Sequence, residues 1–175
     1  MRRRSGREVV SPPGWEPENP QVLHAAVQPV DFVAEWHFQG DAERILAAKG
    51  LKGDLDAICA ALHGTDLADL RVKRELEIRR WRTSERIWKE ANYSYDGFRD
   101  GVAVEAIGPG TSGERAIVYE FVRMELGRHR ADRVDVGVLF VSTRTHLTKA
   151  KSWAVRLRDA DILRIPIAIV GIDTR

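Results

Sequence analysis

Two apolar runs set narrow limits on what this 175-residue chain can fold into. Residues 134–141 (Val134-Asp135-Val136-Gly137-Val138-Leu139-Phe140-Val141) are almost continuously apolar, and so are residues 167–172 (Ile167-Ala168-Ile169-Val170-Gly171-Ile172). A strand with one wet face alternates apolar and polar residues, whereas an unbroken apolar run belongs to a strand covered on both faces, as in a sheet with helices on each side. Helical periodicity precedes the first run and separates it from the second. Residues 114–130 place Ile117, Val118, Phe121, Val122 and Leu126 on an inner side. Residues 148–163 turn Trp153, Leu157 and Ile162 inward and Lys149, Lys151, Arg156 and Arg158 outward. With a two-stranded hairpin ahead of them over residues 95–107, the order strand, strand, helix, strand, helix, strand predicts an α/β class with a central sheet flanked by helices.

The remainder of the chain fits around that core. With 43% hydrophobic residues, the length suits one domain, expected over residues 30–175. Residues 1–29 read as a flexible, basic, proline-rich arm holding Pro12, Pro13, Pro17, Pro20 and Pro29, either a tail or a segment that touches phosphate or the minor groove. A short apolar strand or helix entry follows over residues 30–38. Asp41 can cap a helix to about Lys49 before Gly50, and residues 54–62 form the next, closed by Gly64. Thr65 or Asp66 opens a charged helix over about 67–80. Residues 71–89 hold eight basic and three acidic side chains, either a solvated surface or one that faces phosphates. Trp81 and Trp88 interleave those charges and read as core anchors.

Several chemistries are excluded. Cys59 is the single cysteine, in a helical apolar context, which rules out a disulfide framework and fits a reducing, cytoplasmic setting. The histidines (His24, His37, His63, His129, His146) lack zinc spacing. The Gly108–Gly113 loop lacks the lysine of a phosphate-binding loop, and there is no Gly-x-Ser-x-Gly elbow. No apolar run approaches the roughly 18–20 residues that a membrane helix needs, and Met1-Arg2-Arg3-Arg4 has no hydrophobic region behind it, so no secretory signal is expected.

What remains lies in Tyr95-Asp96-Gly97-Phe98-Arg99-Asp100-Gly101-Val102-Ala103-Val104-Glu105-Ala106-Ile107. Asp100-Gly101 is a two-residue hairpin turn followed by an apolar strand. Acids interrupt it at Asp96 and Glu105. Period two puts Ala103, Glu105 and Ile107 on one side. On residues alone, two readings stand. Asp96 is a turn residue and Glu105 a solvent-facing charge on an edge strand, or the hairpin brings both carboxylates together around a hard cation such as Mg²⁺.

The segment resembles the catalytic hairpin of type II restriction endonucleases of the BglII/BstYI group, within the PD-(D/E)XK nuclease superfamily. The resemblance continues in Arg133-Val134-Asp135-Val136-Gly137-Val138 and in Ile165-Pro166-Ile167-Ala168-Ile169-Val170-Gly171. A weaker echo is Glu35-Trp36-His37-Phe38-Gln39-Gly40-Asp41-Ala42-Glu43. It implies a restriction-endonuclease-like core with a mixed central sheet, Mg²⁺ held by Asp96, Glu105 and the Ala106 carbonyl, and a homodimer cutting double-stranded DNA at a palindrome, with a GATC core and a 5′ overhang. Ile107 occupies the catalytic position where the superfamily carries Lys, and this group Gln or Glu. Ile can neither position water nor donate to phosphate, so Glu120, Arg123, Arg115 or Lys89 are candidate substitutes. Candidate DNA-contacting residues are Arg128, His129, Arg130, Arg144, Thr145, His146, Lys149 and Lys151. A nuclease-derived domain that binds DNA or a partner without cutting it is the alternative.

Overall fold

The computed structural model describes residues 34–88, 93–111, 113–129 and 134–174, so the proposed arm lies outside the described residues. A five-stranded sheet has the order β1-β7-β6-β5-β4. Here β1 is Glu35–Gln39, β4 Gly97–Arg99, β5 Val102–Ile107, β6 Val136–Ser142 and β7 Ile167–Ile172. The strands β5, β6 and β7 run parallel, and β1 and β4 add antiparallel edges. The sheet is therefore mixed, and the unbroken apolar run of β6 lies at its centre with every residue buried.

Alternation across the sheet divides the core in two. Val136, Val138, Phe140, Ala168 and Val170 pack on one face against α1 (Ala42–Ala48), α2 (Lys52–Leu62) and α3 (Asp69–Ile78). Leu139, Val141, Ile167, Ile169, Ala103 and Ile107 pack on the other against α4 (Gly113–Gly127) and α5 (Leu147–Asp159). This is the three-layer arrangement that strands apolar on both sides demand.

Asp100 (φ 50) and Gly101 (φ 79) both adopt left-handed backbone, as a two-residue turn matching the strand twist requires. Lys49, just past α1, pins this turn from the far side. Its Nζ donates to the Asp100 carbonyl at 2.6 Å and pairs with Asp135 at 2.9 Å, joining the hairpin to the start of β6.

Several expectations are corrected. Asp41 makes no cap hydrogen bond, because its carboxylate pairs with Arg44 at 2.6 Å. The second helix begins at Lys52, two residues earlier than Asp54, supported by the Lys52–Asp56 pair. The third begins at Asp69: Thr65 and Asp66 spend their side-chain oxygens on the preceding turn, Thr65 Oγ1 donating to the Leu62 carbonyl and Asp66 accepting from Ala68. Leu126 and Ile162 face solvent instead of the core (41% and 50% exposed); Ile162 lies beyond the end of α5. Arg158, expected outward, folds back to donate to the Ile165 carbonyl at 2.9 Å. The basic stretch 71–89 is not one surface. The helix stops at Ile78, Trp81 turns into the core, and Lys73 and Arg79 are paired to acids. A second sheet, β2 (Glu85–Trp88) with β3 (Tyr93–Tyr95), had no signal in the pattern. Trp88 lies in that sheet.

Gly137 is a point where α4 and β7 side chains pack closely on the backbone of β6. A Cβ there would occupy space already held by Met124 Sδ and Ile167 Cδ1. Gly137→Ala is expected to lower stability by roughly 1–3 kcal/mol, the usual cost of overpacking a close-packed core, read as a lower urea midpoint with unchanged slope. A midpoint equal to that of the parent protein would show that this layer can yield.

Candidate active site

Asp96 is the single residue between β3 and β4. The β4–β5 ladder ends at Gly97 opposite Val104, so beyond that point the edge of β5 has no strand partner. Asp96 Oδ2 fills the gap by accepting the Ala106 amide at 2.9 Å. A strand residue points its N–H and C=O to the same side, so the Ala106 carbonyl faces this open edge too. Glu105 stands one residue earlier, with Ala103 and Ile107 on the α4 side of the sheet, and is only 3% exposed. Arg123 of α4 reaches over it, with Nη2 3.0 Å from Glu105 Oε1 and Nη1 donating to Glu120 at 2.6 Å. The buried Tyr95 hydroxyl donates to the Arg123 carbonyl at 3.2 Å and ties α4 to the hairpin.

The α3 helix closes the other side. Lys73 Nζ lies 2.9 Å from Asp69 and 3.9 Å from Asp96 Oδ1. The result is a row of carboxyls, Asp69, Asp96, Glu105 and Glu120, each in hydrogen-bonding or Coulombic contact with the next, met by Lys73 and Arg123. Burial is the main reason that the acids are hard to ionise. It pushes Asp96 up to about 6, against the Ala106 amide, with Asp69 adding repulsion. It holds Glu105 well above its ordinary range, with Glu120 and Asp96 adding to it and Arg123 opposing it. Glu120 is raised by the same burial and by Asp96. For Lys73, burial would lower the pKa, but Asp69, Asp96 and Glu105 outweigh it and the ammonium is strengthened.

Such a row is under-compensated, and it asks for another cation. Among the described residues no three His, Cys, Asp or Glu side chains converge as they would around a metal ligated by side chains alone. Mg²⁺ needs less, because it binds through one or two carboxylates and keeps water or phosphate in its other positions. Glu105 Oε1 is buried without a well-aligned hydrogen bond, and Asp96 Oδ1 is left free of the Ala106 amide. The donor set of Asp96, Glu105 and the Ala106 carbonyl therefore suits a hard divalent ion.

The remaining sequence candidates are dispersed. Ile107 is a core residue, 2% exposed, packed in the α4 layer. Glu120 and Arg123 are at the site. Arg115 lines an apolar groove on α4 with Val118, Tyr119, Val122 and Trp153, and Lys89 and Arg130 lie outside the described residues. Arg128 and His129 follow the end of α4, where Arg128 pairs with Glu125 at 2.8 Å and lines a cavity with Lys49, Asp135 and Arg164 beside the start of β6. Arg144, Thr145 and His146 form the turn after β6, at the opposite end of the sheet. Arg144 pairs with Asp173 at 3.2 Å, Thr145 bonds Ser142, and His146 is buried, its pKa lowered chiefly by that burial. Lys149 is exposed in the first turn of α5, and Lys151 pairs with Glu35 at 2.9 Å. Sequence reasoning missed Asp69 and Lys73. Their i, i+4 spacing was the available signal, but nothing in the pattern tied that helix to the hairpin.

No family model matches the chain, and no curated protein matches its sequence. The fold does have known counterparts. The restriction endonuclease BglII complexed with a DNA 16-mer superposes with a TM-score of 0.65 at 15% identity, over 82% of this chain and 77% of that one. Free BglII gives 0.57 at 16% identity, over 81% and 79%. The chain has a restriction-endonuclease-like fold, a mixed five-stranded sheet flanked by helices. No described helix is long and apolar enough to cross a membrane.

The raised Asp96 pKa has a consequence for stability. The folded chain holds that proton more tightly than the unfolded one, so ionising Asp96 costs stability as pH rises from about 4 through about 6. Asp96→Asn keeps the acceptor for Ala106 and removes the charge. Without metal, the variant should be more stable than the parent at pH 7.5 by about 1–3 kcal/mol, with the gap closing toward pH 4.5. Chemical denaturation at the two pH values measures it; a gap that does not change with pH counts against this electrostatic account.

Proposed function

We propose that the protein is a Mg²⁺-dependent endonuclease that hydrolyses phosphodiester bonds of double-stranded DNA at a short palindromic site. The observation that carries this reading is the pairing of half-buried Asp96 with buried Glu105 at the open edge of β5, with more acid around it than Lys73 and Arg123 neutralise. The restriction-endonuclease-like fold supports it, and one of the matching structures is a DNA complex.

Asp96, Glu105 and the Ala106 carbonyl would hold the ion, which when bound supplies a water of lowered pKa and neutralises charge on the scissile phosphate. The chain's own residues fix the geometry. The Ala106 amide locks one Asp96 oxygen and so aims the other at the site. Arg123, held also by Glu120, keeps the Glu105 carboxyl in one position inside the core. Glu105 and Ala106 sit on β5 where it is paired with β6, and Asp96 lies just ahead of β4, so the sheet fixes the ligands as a site demanding sub-ångström placement requires. Ile107 supplies packing only, so the cation and proton chemistry at this edge falls to residues on other elements.

A double-strand cut at a palindrome needs two sites related by the DNA's two-fold axis, and the active species is accordingly a homodimer. A GATC core is the recognition sequence that the resemblance implies. Purified protein incubated with plasmid and Mg²⁺ should give discrete fragments, none of them with EDTA. Asp96→Ala or Glu105→Ala should slow cleavage roughly 10²–10³-fold or more, the scale of losing one transition-state stabilising group. Retarded DNA without any cutting, indifferent to both substitutions, points instead to a binding domain. Light scattering should report twice the chain mass; a monomer that cuts both strands in one event contradicts the symmetric arrangement.

A further inference from the structure

Position 107, where the resemblance expects a polar or cationic side chain, is filled by buried isoleucine. Yet the site does receive an ammonium, from a different element. Asp69 and Lys73 are one turn apart on α3, and the helix lies against the hairpin so that Lys73 Nζ reaches 3.9 Å from Asp96 Oδ1, the oxygen that the Ala106 amide does not bond. The other cation here, Arg123, is engaged by both Glu105 and Glu120 and is 13% exposed at its side chain. Lys73 is held more loosely, at 24% exposure, and its closer partner Asp69 is 61% exposed. An ammonium on a flexible stem beside the Asp96 carboxyl can turn toward a phosphate arriving there, as a guanidinium clamped between acids cannot.

Resting on the nuclease reading, we infer that Lys73 is a catalytic residue of this site: α3 delivers in trans to the hairpin the cation that Ile107 lacks, and Lys73 contacts the scissile phosphate. In the free protein its charge stands beside Asp96 and opposes a divalent ion at the same carboxylate. When DNA is present it donates to a non-bridging phosphate oxygen and stabilises the charge that grows as water attacks. The bond from the water oxygen to phosphorus forms while the opposite P–O ester bond breaks. The water's proton passes to solvent, the leaving oxygen takes one from solvent, and Lys73 stays protonated throughout.

This assignment makes two measurements move in opposite directions. Lys73→Met keeps the apolar stem and removes the charge. The variant should bind Mn²⁺ more tightly in calorimetric titration without DNA, by roughly threefold to tenfold, because a like charge near the ion has gone. Its plasmid cleavage rate at saturating metal and DNA should fall about 100-fold, with Lys73→Arg restoring part of the rate. Arg74→Ala removes a charge from the exposed side of the same helix and should leave both quantities near the parent values. Had Lys73 only braced Asp96, the variant would lose metal affinity and rate together, and that result overturns the inference. So does a Lys73→Met enzyme that cuts within twofold of the parent while Asp96→Ala is inactive, an outcome that leaves the nuclease reading standing. A parent protein that binds Mn²⁺ but cuts no DNA under any condition defeats the nuclease reading and this inference with it.

Discussion

A carboxylate placed inside a close-packed layer is the constraint around which the rest is arranged. Glu105 sits between Ala103 and Ile107 on the α4 side of β5, where an unpaired ionised acid would be costly enough to be lost. The surrounding elements converge on it. From α4 come Arg123 and Glu120, and the Tyr95 hydroxyl anchors that helix to the hairpin. Asp96 adds a second charge where one is already difficult, so the fold accepts repulsion at a defined place in exchange for a concentrated negative edge. Sites that hold unfavourable charge in this way are common where an ion or substrate completes the balance.

The layered core makes that placement possible. Because β5 and β6 pair in parallel from Val102 opposite Val136 to Ile107 opposite Val141, each β5 residue has a fixed height and face. Shifting the register by one residue would move Glu105 to the α1–α3 side, into the apolar layer that holds Leu55, Ile58 and Leu76 and away from Arg123. The apolar runs therefore set the address of the acid as well as the stability of the sheet.

Much of this was legible in the chain. The continuous apolarity of 134–141 and 167–172 announced strands covered on both faces, and both are buried throughout. The Asp100-Gly101 pair announced the hairpin, and the acids on either side of it do meet. Less visible was anything that depends on how separate elements dock. Periodicity assigned Leu126 and Ile162 inward, but Leu126 lies on the exposed side of the last turn of α4 and Ile162 past the end of α5. Lys73 was one charge in a basic stretch until the packing of α3 set it beside Asp96. The short β2–β3 pair has four and three residues, too few to show a period. Local pattern reads local structure well. The company a side chain keeps is a tertiary property.

The early end of β4 carries a consequence of its own. Three residues pair with β5, and then the chain departs, so the Ala106 amide takes an aspartate oxygen where a longer strand would have offered a carbonyl. Ladder and side chain thus compete for the same donor. Any change that let β4 zip further along its neighbour would gain a backbone bond and close the open edge beside Glu105. Brevity of that strand is, in this architecture, what keeps the door ajar.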